Sequence, residues 1–181
     1  MKLYDCIFLD RDGTINWDKE GYIRSLADFK FFEFTFEALK KIAYLGNRFC
    51  IVTNQSGVSR GFIKQNELNK IHNYIRTEFE TNGIPLLNIY ECIDHPDNAS
   101  NRRKPGFGMF LEAKTDYGIN LPKCLMIGDS QNDMQAGQGL GMDTMLVKTG
   151  NGKNTLKNLS NIDMPQYIVK DLYEGAEKLC H

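Results

Sequence analysis

The sequence predicts an α/β fold in which a mainly parallel sheet is covered by helices. Apolar runs of strand length alternate with patterns typical of amphipathic helices, and this alternation implies crossover connections between parallel strands. The chain has 181 residues, a length that suits one domain with a sizeable core. No insertion between the predicted elements is large enough to form a separate cap domain. We therefore expect a single domain over residues 1–181 without a large cap.

The predicted elements follow one another in strand and helix order. Strands are short apolar runs that end in polar turns, and they are expected at 5–10, 48–54, 88–94, 124–128, 144–147 and 167–169. Helices are expected at 34–45, 64–82, 108–117, 131–140 and 171–179. In the second helix, apolar residues recur at spacings of three and four, as on one helix face: Leu68, Ile71, Ile75 and Phe79. The connection 15–30 is long, so we expect it to wall a substrate pocket.

The composition narrows the range of functions. Hydrophobic residues make up 41% and charged residues 25%, as in ordinary globular proteins. The net charge of -1 argues against nucleic acid and anionic lipid as partners, and no apolar run approaches the roughly 20 residues that span a bilayer. The start of the chain shows no signal-peptide core. Five scattered cysteines form no C-x-x-C pair and are expected to be buried, reduced thiols of a cytoplasmic protein.

Two aspartates, Asp10 and Asp12, follow the apolar run Ile7-Phe8-Leu9 directly. The run predicts a buried parallel strand, and α/β proteins place their chemistry at the carboxyl edge of such a sheet. Strand side chains alternate between faces, so the two carboxylates can border one cavity only if the chain turns after Asp10. One can then stay ionised while the other holds a proton, which suits a nucleophile beside an acid–base group.

Three further signals follow later predicted strands. They are a hydroxyl and amide run from Thr53 to Ser56, a basic cluster at Arg103-Lys104, and a pair of acids at Asp129 and Asp133. Each alone is typical of a turn, a loop or a solvated surface. Together, at one edge of a parallel sheet, they supply carboxylates, a hydroxyl, cations and backbone N–H groups. This combination indicates a magnesium-assisted phosphate site.

These motifs resemble those of the haloacid dehalogenase-like phosphatases. Asp10-x-Asp12-Gly13-Thr14 matches the first motif, Thr53 the second, Lys104 the third and Gly128-Asp129-x-x-x-Asp133 the fourth. The resemblance implies a Rossmann-like three-layer sandwich. The flanking residues, including Arg11, Asn16, the turn 53–57 and Arg103-Lys104-Pro105, resemble the D,D-heptose 1,7-bisphosphate phosphatases. Histidinol-phosphate phosphatases share much of this pattern.

The resemblance also implies roles for the motif residues. Asp10 would be the nucleophile that forms an aspartyl phosphate, and Asp12 would transfer protons to and from the leaving group and water. Mg²⁺ would be held by Asp10, Asp129 and the backbone carbonyl of Asp12. Thr53 and Lys104 would hold the phosphoryl oxygens. Asp133 would orient Lys104 or a metal-bound water, or else cap its own helix.

The resemblance places the remaining substrate contacts in three segments. Arg103 would contact the part of the substrate beyond the phosphoryl group. The other expected substrate-binding residues lie in the first two motifs and the long connection: Arg11, Asp18, Gly21, Tyr22, Asn54, Gln55 and Ser56.

The chain departs from the family pattern at two places. Many relatives carry a zinc loop before Arg-Lys-Pro, but here Asp94, Ser100 and Arg102 occupy ligand positions beside Cys92. Arginine cannot bind zinc, so no structural zinc is expected. We expect Arg102 either to pair with Asp94 or Asp97 across the loop or to be solvated. Ser130 stands where heptose phosphatases often place a lysine.

The function that fits these features best is Mg²⁺-dependent hydrolysis of a phosphorylated sugar. The preferred substrate is the 7-phosphate of D-glycero-D-manno-heptose 1,7-bisphosphate, with histidinol phosphate as the alternative. A receiver-type phosphoacceptor domain, which signals rather than turns over, is the competitor from another class. The expected protein is a cytoplasmic monomer whose partner is the small-molecule substrate.

Overall fold

A six-stranded sheet of parallel strands forms the centre of the molecule in the computed structural model, which describes residues 3–18 and 22–181. Its strands are β1 (Ile7–Leu9), β2 (Phe49–Asn54), β3 (Leu86–Cys92), β4 (Leu125–Gly128), β5 (Asp143–Val147) and β6 (Tyr167–Val169). They lie in the order β3-β2-β1-β4-β5-β6, and each neighbouring pair is parallel. The predicted α/β fold with a mainly parallel sheet is therefore confirmed.

Helices cover both faces of this sheet. They are α1 (Thr35–Tyr44), α2 (Gln65–Thr81), α3 (Gly108–Tyr117), α4 (Gln131–Gly139), α5 (Gly152–Asn158) and α6 (Leu172–Cys180). Ile7 and Leu9 of β1 belong to one buried apolar cluster, which includes residues of α1, α2 and α6. Phe8 belongs to a second cluster, with residues of α3 and α4. Because strand side chains alternate between faces, the two clusters form the two interfaces of a three-layer sandwich.

Most predicted elements match the structure to within two residues at each end. The helix predicted at 108–117 and the strand predicted at 167–169 have the observed bounds, whereas β3 begins and ends two residues earlier than predicted. Helix α5 was not predicted. Its seven residues contain a single large apolar side chain, Leu156, so the segment lacks the periodic stripe by which an amphipathic helix is recognised.

The strand order determines where the functional residues meet. Strand β1 lies between β2 and β4, with Leu9 paired to both Ile51 and Ile127. The backbone N–H of Asp10 still donates to the Ile127 carbonyl at 2.9 Å, so Asp10 emerges at the middle of the carboxyl edge. Within the described part of the chain, no helix is long and apolar enough to cross a membrane.

The packing of α3 onto the sheet gives a test of the core. Phe110 is fully buried and meets the Phe8 ring at a centroid distance of 5.0 Å. Phe110→Ala should lower the free energy of unfolding by about 3–5 kcal/mol, because it removes buried area and leaves a cavity. The adjacent Leu111 is 42% exposed, so Leu111→Ala should cost less than about 1 kcal/mol. Urea denaturation monitored by circular dichroism compares them, and equal losses would contradict the assigned packing.

Candidate active site

Lys104 lies at the centre of the carboxyl edge and is almost completely buried. Its Nζ is 2.7 Å from Oδ1 of Asp10, 2.7 Å from Oδ1 of Asp133 and 2.7 Å from the carbonyl oxygen of Val52. Burial opposes its charge, but Asp10 and Asp133 raise the pKa of Lys104 above its usual value. The ammonium group is therefore kept protonated and is shared by the ends of β1 and β2 and the first turn of α4.

Asp133 performs both of the roles that the sequence left open. Its Oδ1 pairs with Lys104, while Oδ2 accepts hydrogen bonds from the backbone N–H and the hydroxyl of Ser130. Ser130 accepts a hydrogen bond in return from the Asp133 backbone N–H, which completes a capping box at the start of α4. Ser130 is thus the N-cap of the helix. The capping geometry explains why Asp133 is held rigidly enough to position Lys104.

Three carboxylates converge beside this lysine. Ligand oxygens of Asp10, Asp129 and Asp133 lie within 4.8 Å of one another. Burial, together with repulsion from Asp133 and Asp12, raises the pKa of Asp10 to about 7 against the opposing effect of Lys104. Burial and the charges of Asp10 and Asp133 raise the pKa of Asp129 to about 8. One lysine does not offset three buried carboxylates, so this cluster attracts a further cation.

The donor set and the space around it fit a small divalent cation. Asp133 is engaged by Lys104 and Ser130, which leaves carboxylate oxygens of Asp10 and Asp129 as the hard ligands that Mg²⁺ prefers. Asp129 is fixed because its Oδ2 accepts from the Asn151 backbone N–H at 2.6 Å. Gly13 and Gly150 both have positive φ, and a Cβ at either position would collide with Oδ2 of Asp129. The Asp129 carboxylate therefore packs directly against these two glycines, and a side chain at either position would displace it.

Asp12 points into a set of hydrogen-bond donors on the other side of the site. Arg11 donates from Nε to Oδ1 at 3.0 Å and from Nη2 to Oδ2 at 2.8 Å. Asn16 donates to Oδ1 at 2.9 Å and Gln55 to Oδ2 at 2.8 Å. Burial alone acts to raise the pKa of Asp12, but the charge of Arg11 and these hydrogen bonds lower it below its usual value. Asp12 is held as a carboxylate.

Three residues predicted to touch the substrate lie in the interior of the site. Arg11 is fully buried and its guanidinium is paired with Asp12. The amide nitrogen of Gln55 donates to Asp12 and to Thr53 Oγ1. Asn54 is bound through both ends of its amide to the Lys104 backbone, at 3.0 Å each. These contacts place Arg11, Gln55 and Asn54 against Asp12, Thr53 and Lys104, and their part in substrate binding stays a prediction.

Three further residues of the predicted substrate-binding set, Asp18, Tyr22 and Ser56, lie in the described part of the chain. Asp18 is exposed and lines a cavity of about 580 Å³ with Trp17 and Lys148. Tyr22 has a φ of 146° and stacks on the exposed Phe62 at 5.2 Å. Ser56 is buried at the start of the following turn, and Gly21 lies outside the described residues.

The loop before Lys104 is closed differently from the prediction. Arg102 pairs with Glu112 of α3 and donates to the Glu91 carbonyl at 2.7 Å, so the predicted pair with Asp94 or Asp97 is wrong. Asp94 instead accepts from the backbone N–H of Ser100 at 2.8 Å and from its hydroxyl at 2.6 Å. These two bonds lower the pKa of Asp94 and close the loop through side chains at two of the former ligand positions. Arg103, half-buried, donates to the Asp94 carbonyl at 3.3 Å.

Several residues that complete the site are not among the residues predicted from the sequence. Asn151 and Gly150 belong to the turn after β5, where the sequence Thr149-Gly150-Asn151-Gly152 is typical of a tight turn. Asn16 was noted only as part of the family resemblance, although it holds Asp12. His72, on α2, meets the Arg11 guanidinium at 3.1 Å and carried no motif that could have found it.

This site defines the class of protein. An aspartate at the end of the central strand, a buried lysine and a second acid at the end of β4 are the parts of a haloacid dehalogenase-like phosphoryl-transfer site. The model of the HAD-hydrolase-like family matches residues 101–175.

Comparison with curated proteins and solved structures gives the family. The chain is 33% identical to the D-glycero-beta-D-manno-heptose-1,7-bisphosphate 7-phosphatase of Pseudomonas putida, over 99% of both chains. It is 35% identical to the alpha-anomer enzyme of Campylobacter jejuni, over 86% of this chain and 92% of that one. The structure of D,D-heptose 1,7-bisphosphate phosphatase from B. bronchiseptica, complexed with magnesium and phosphate, has 31% identity. Its TM-score is 0.87, with 99% and 98% of the two chains covered. The chain belongs to the D-glycero-D-manno-heptose 1,7-bisphosphate 7-phosphatase family of haloacid dehalogenase-like hydrolases.

Membership in this family of enzymes decides between a phosphatase and a receiver-type signalling domain. The curated relatives are phosphatases, so the chain is a phosphoric monoester hydrolase and not a receiver-type signalling domain.

The close packing of Gly150 against Asp129 can be tested with a matched pair of glycine variants. Gly150 and Gly118 have φ of 50° and 65°, but only at Gly150 would a Cβ meet the Asp129 carboxylate. Gly118→Ala should lose about 1–2 kcal/mol of stability through backbone strain, and Gly150→Ala should lose more, because its Cβ would also meet the Gly13 backbone. Gly150→Ala should in addition reduce phosphatase activity at least about tenfold, whereas Gly118→Ala should keep it. Similar activity in the two variants would refute the role given to Gly150.

Proposed function

We propose that this chain hydrolyses the 7-phosphate of D-glycero-D-manno-heptose 1,7-bisphosphate in an Mg²⁺-dependent reaction through an aspartyl phosphate on Asp10. The observation that supports it most is the Lys104–Asp10 pair beside Asp129, in a chain whose relatives carry this substrate in their names. The relatives include enzymes for both anomers, so the anomer is a matter for measurement.

Asp10 and Asp129 would hold the Mg²⁺, with the backbone carbonyl of Asp12 as the further ligand expected from the family. When bound, the ion supplies positive charge that lets a phosphate dianion approach two carboxylates. It would also favour the ionised forms of Asp10 and Asp129, whose pKa values are raised by burial and by their acidic neighbours.

In the first step Asp10 attacks phosphorus. Lys104 holds Oδ1, and among residues 3–18 and 22–181 no hydrogen bond to Oδ2 is found, so Oδ2 is the nucleophilic oxygen. Lys104 Nζ donates to Oδ1 of Asp10 and to the Val52 carbonyl, and it also pairs with Asp133 at 2.7 Å, so a phosphoryl oxygen would compete with these partners for the ammonium group. Gln55 donates to Thr53 Oγ1, which leaves the Thr53 hydroxyl hydrogen free for the phosphoryl group.

Asp12 would donate a proton in the first half-reaction and accept one in the second. The leaving alkoxide needs a proton, and the water that later cleaves the aspartyl phosphate must lose one. The donors around Asp12 favour its carboxylate, the form that serves as base in the second half-reaction. A phosphate dianion arriving beside Asp12 shifts its pKa upward, which favours the acid form needed in the first.

The recognition of the sugar would fall to the rim of the site. Arg103 is half-buried and makes only one long contact of 3.3 Å in the described chain, so its guanidinium is available to a second phosphate. The stacked Tyr22 and Phe62 rings form an aromatic surface suited to the C–H face of a sugar.

Replacement of the nucleophile tests the covalent mechanism. Asp10→Asn keeps the shape but removes the attacking oxygen, so kcat for the bisphosphate should fall by several orders of magnitude. The control Glu80→Gln removes an exposed carboxylate at the end of α2 and should leave kcat unchanged. Activity near that of the wild type in Asp10→Asn would overturn the mechanism. Faster turnover of histidinol phosphate than of either heptose bisphosphate anomer would overturn the substrate assignment.

Truncation of Arg103 tests substrate recognition. Arg103→Ala should raise KM for the bisphosphate roughly 10- to 100-fold, the cost of a hydrogen-bonded charge contact, with little effect on p-nitrophenyl phosphate. Arg76→Ala removes a cation that binds Asn88 at the protein surface, and KM should stay the same for both esters. If Arg103→Ala weakens both esters equally, Arg103 serves the common phosphoryl site instead.

A further inference from the structure

A line of buried polar contacts runs from Asp12 away from the reaction centre. Arg11 binds both oxygens of Asp12, and its Nη1 lies 3.1 Å from Nε2 of His72. Nδ1 of His72 lies 2.7 Å from Oε2 of Glu91, whose other oxygen accepts from Gln65 at 2.9 Å. The four side chains Asp12, Arg11, His72 and Glu91 therefore connect the reaction centre to the edge strand β3.

The direction of each hydrogen bond follows from the chemistry of arginine. A guanidinium can only donate, so Nε2 of His72 must accept and its proton must lie on Nδ1, where it is donated to Glu91. Burial and the charge of Arg11 lower the pKa of His72, which agrees with a neutral imidazole. His72 thus presents a lone pair to Arg11, and Glu91 fixes the tautomer that does so.

Arg11 depends on these partners for its position. Its side chain is 1% exposed and meets the Phe29 ring at 6.0 Å, so water does not compensate for a lost partner. Asp12 engages one edge of the guanidinium and His72 engages Nη1. The far end of the network is fixed as well, because Glu91 is paired with Thr53 in the β2–β3 register. Loss of His72 would leave Nη1 unsatisfied and free the guanidinium to turn away from Asp12.

We propose that His72, supported by Glu91, is a positioning residue that holds Arg11 against Asp12 for proton transfer to the leaving group. This inference rests on the proposed function only in giving Asp12 the proton-transfer role. His72 acts here on the orientation of Asp12 and not on its pKa, because the contact with Arg11 lowers that pKa and by itself favours the carboxylate. The effect falls on the departure of the leaving group and not on the binding of phosphate.

The test compares two esters that differ in their need for a proton. An alkyl phosphate leaves as an alkoxide that must be protonated, whereas p-nitrophenyl phosphate releases a stable phenolate. The alkyl ester used is the one that the wild-type enzyme turns over fastest in a panel that includes both heptose bisphosphates. His72→Leu should reduce the single-turnover rate of phosphoenzyme formation roughly tenfold with the alkyl ester, and less than about twofold with p-nitrophenyl phosphate. KM should stay within about twofold.

Two further variants distinguish positioning from general damage to the fold. His72→Gln can accept from Arg11 and donate to Glu91, so it should recover most of the alkyl-ester rate. Ile75→Ala removes a buried apolar side chain from the same helix, and any loss it causes should be equal for the two esters. Should His72→Leu fail to fold, Glu91→Met provides the test, since it removes the acceptor behind His72 and must show the same difference between esters.

A double-mutant cycle tests whether His72 acts through Arg11. In an Arg11→Met background, His72→Leu should have no further effect on the alkyl-ester rate. Equal losses with both esters, or full additivity with Arg11→Met, would overturn the inference while leaving the phosphatase activity established. A wild-type enzyme that hydrolyses neither ester would overturn the proposed function, and this inference with it.

Discussion

A buried ammonium group, that of Lys104, is the constraint on which the active site depends. A charge removed from water must be fully paired, and here the three acceptors come from three different elements. Asp10 follows β1, Val52 lies in β2 and Asp133 belongs to the first turn of α4. Because all three must reach one nitrogen, the ends of two strands and the start of a helix are fixed relative to one another. The Asp10 carboxylate is thereby oriented by the fold itself.

The same edge of the sheet carries more acidic than basic side chains. Asp10, Asp129 and Asp133 crowd together, and the raised pKa values of Asp10 and Asp129 show that burial and mutual repulsion oppose their ionisation. Such an arrangement costs stability in the free protein, and a bound cation relieves the cost. Gly13 and Gly150 hold the Asp129 carboxylate in place, since any larger residue at either position would displace it.

Asp12 is held by the opposite arrangement, in which donors surround one carboxylate. Arg11, Asn16 and Gln55 together lower its pKa despite its burial. Several polar side chains that follow the strands thus form hydrogen bonds with other residues of the site. This leaves the aromatic pair Tyr22–Phe62 and the guanidinium of Arg103 as the groups that face outward. Asp12 and its donors thus lie in a densely hydrogen-bonded interior, while Tyr22, Phe62 and Arg103 lie on the loops around it.

The alternation of strands and helices can be predicted from the sequence, because hydrophobic periodicity is a local property. It also identified Asp10, Asp12, Lys104 and Asp129, since each follows a strand or precedes a helix in a recognisable motif. Helix α5 escaped detection because its residues lack an apolar stripe.

The strand order that sets Asp10 between Thr53 and Asp129 becomes known only from the folded chain. The same holds for the partner of Arg102, which is Glu112 and not Asp94 or Asp97. The fold also brings the Arg11 guanidinium against His72, a residue 61 positions away in the chain. Residues far apart in sequence meet through strand pairing and helix packing, and no local pattern encodes which polar group will find which partner.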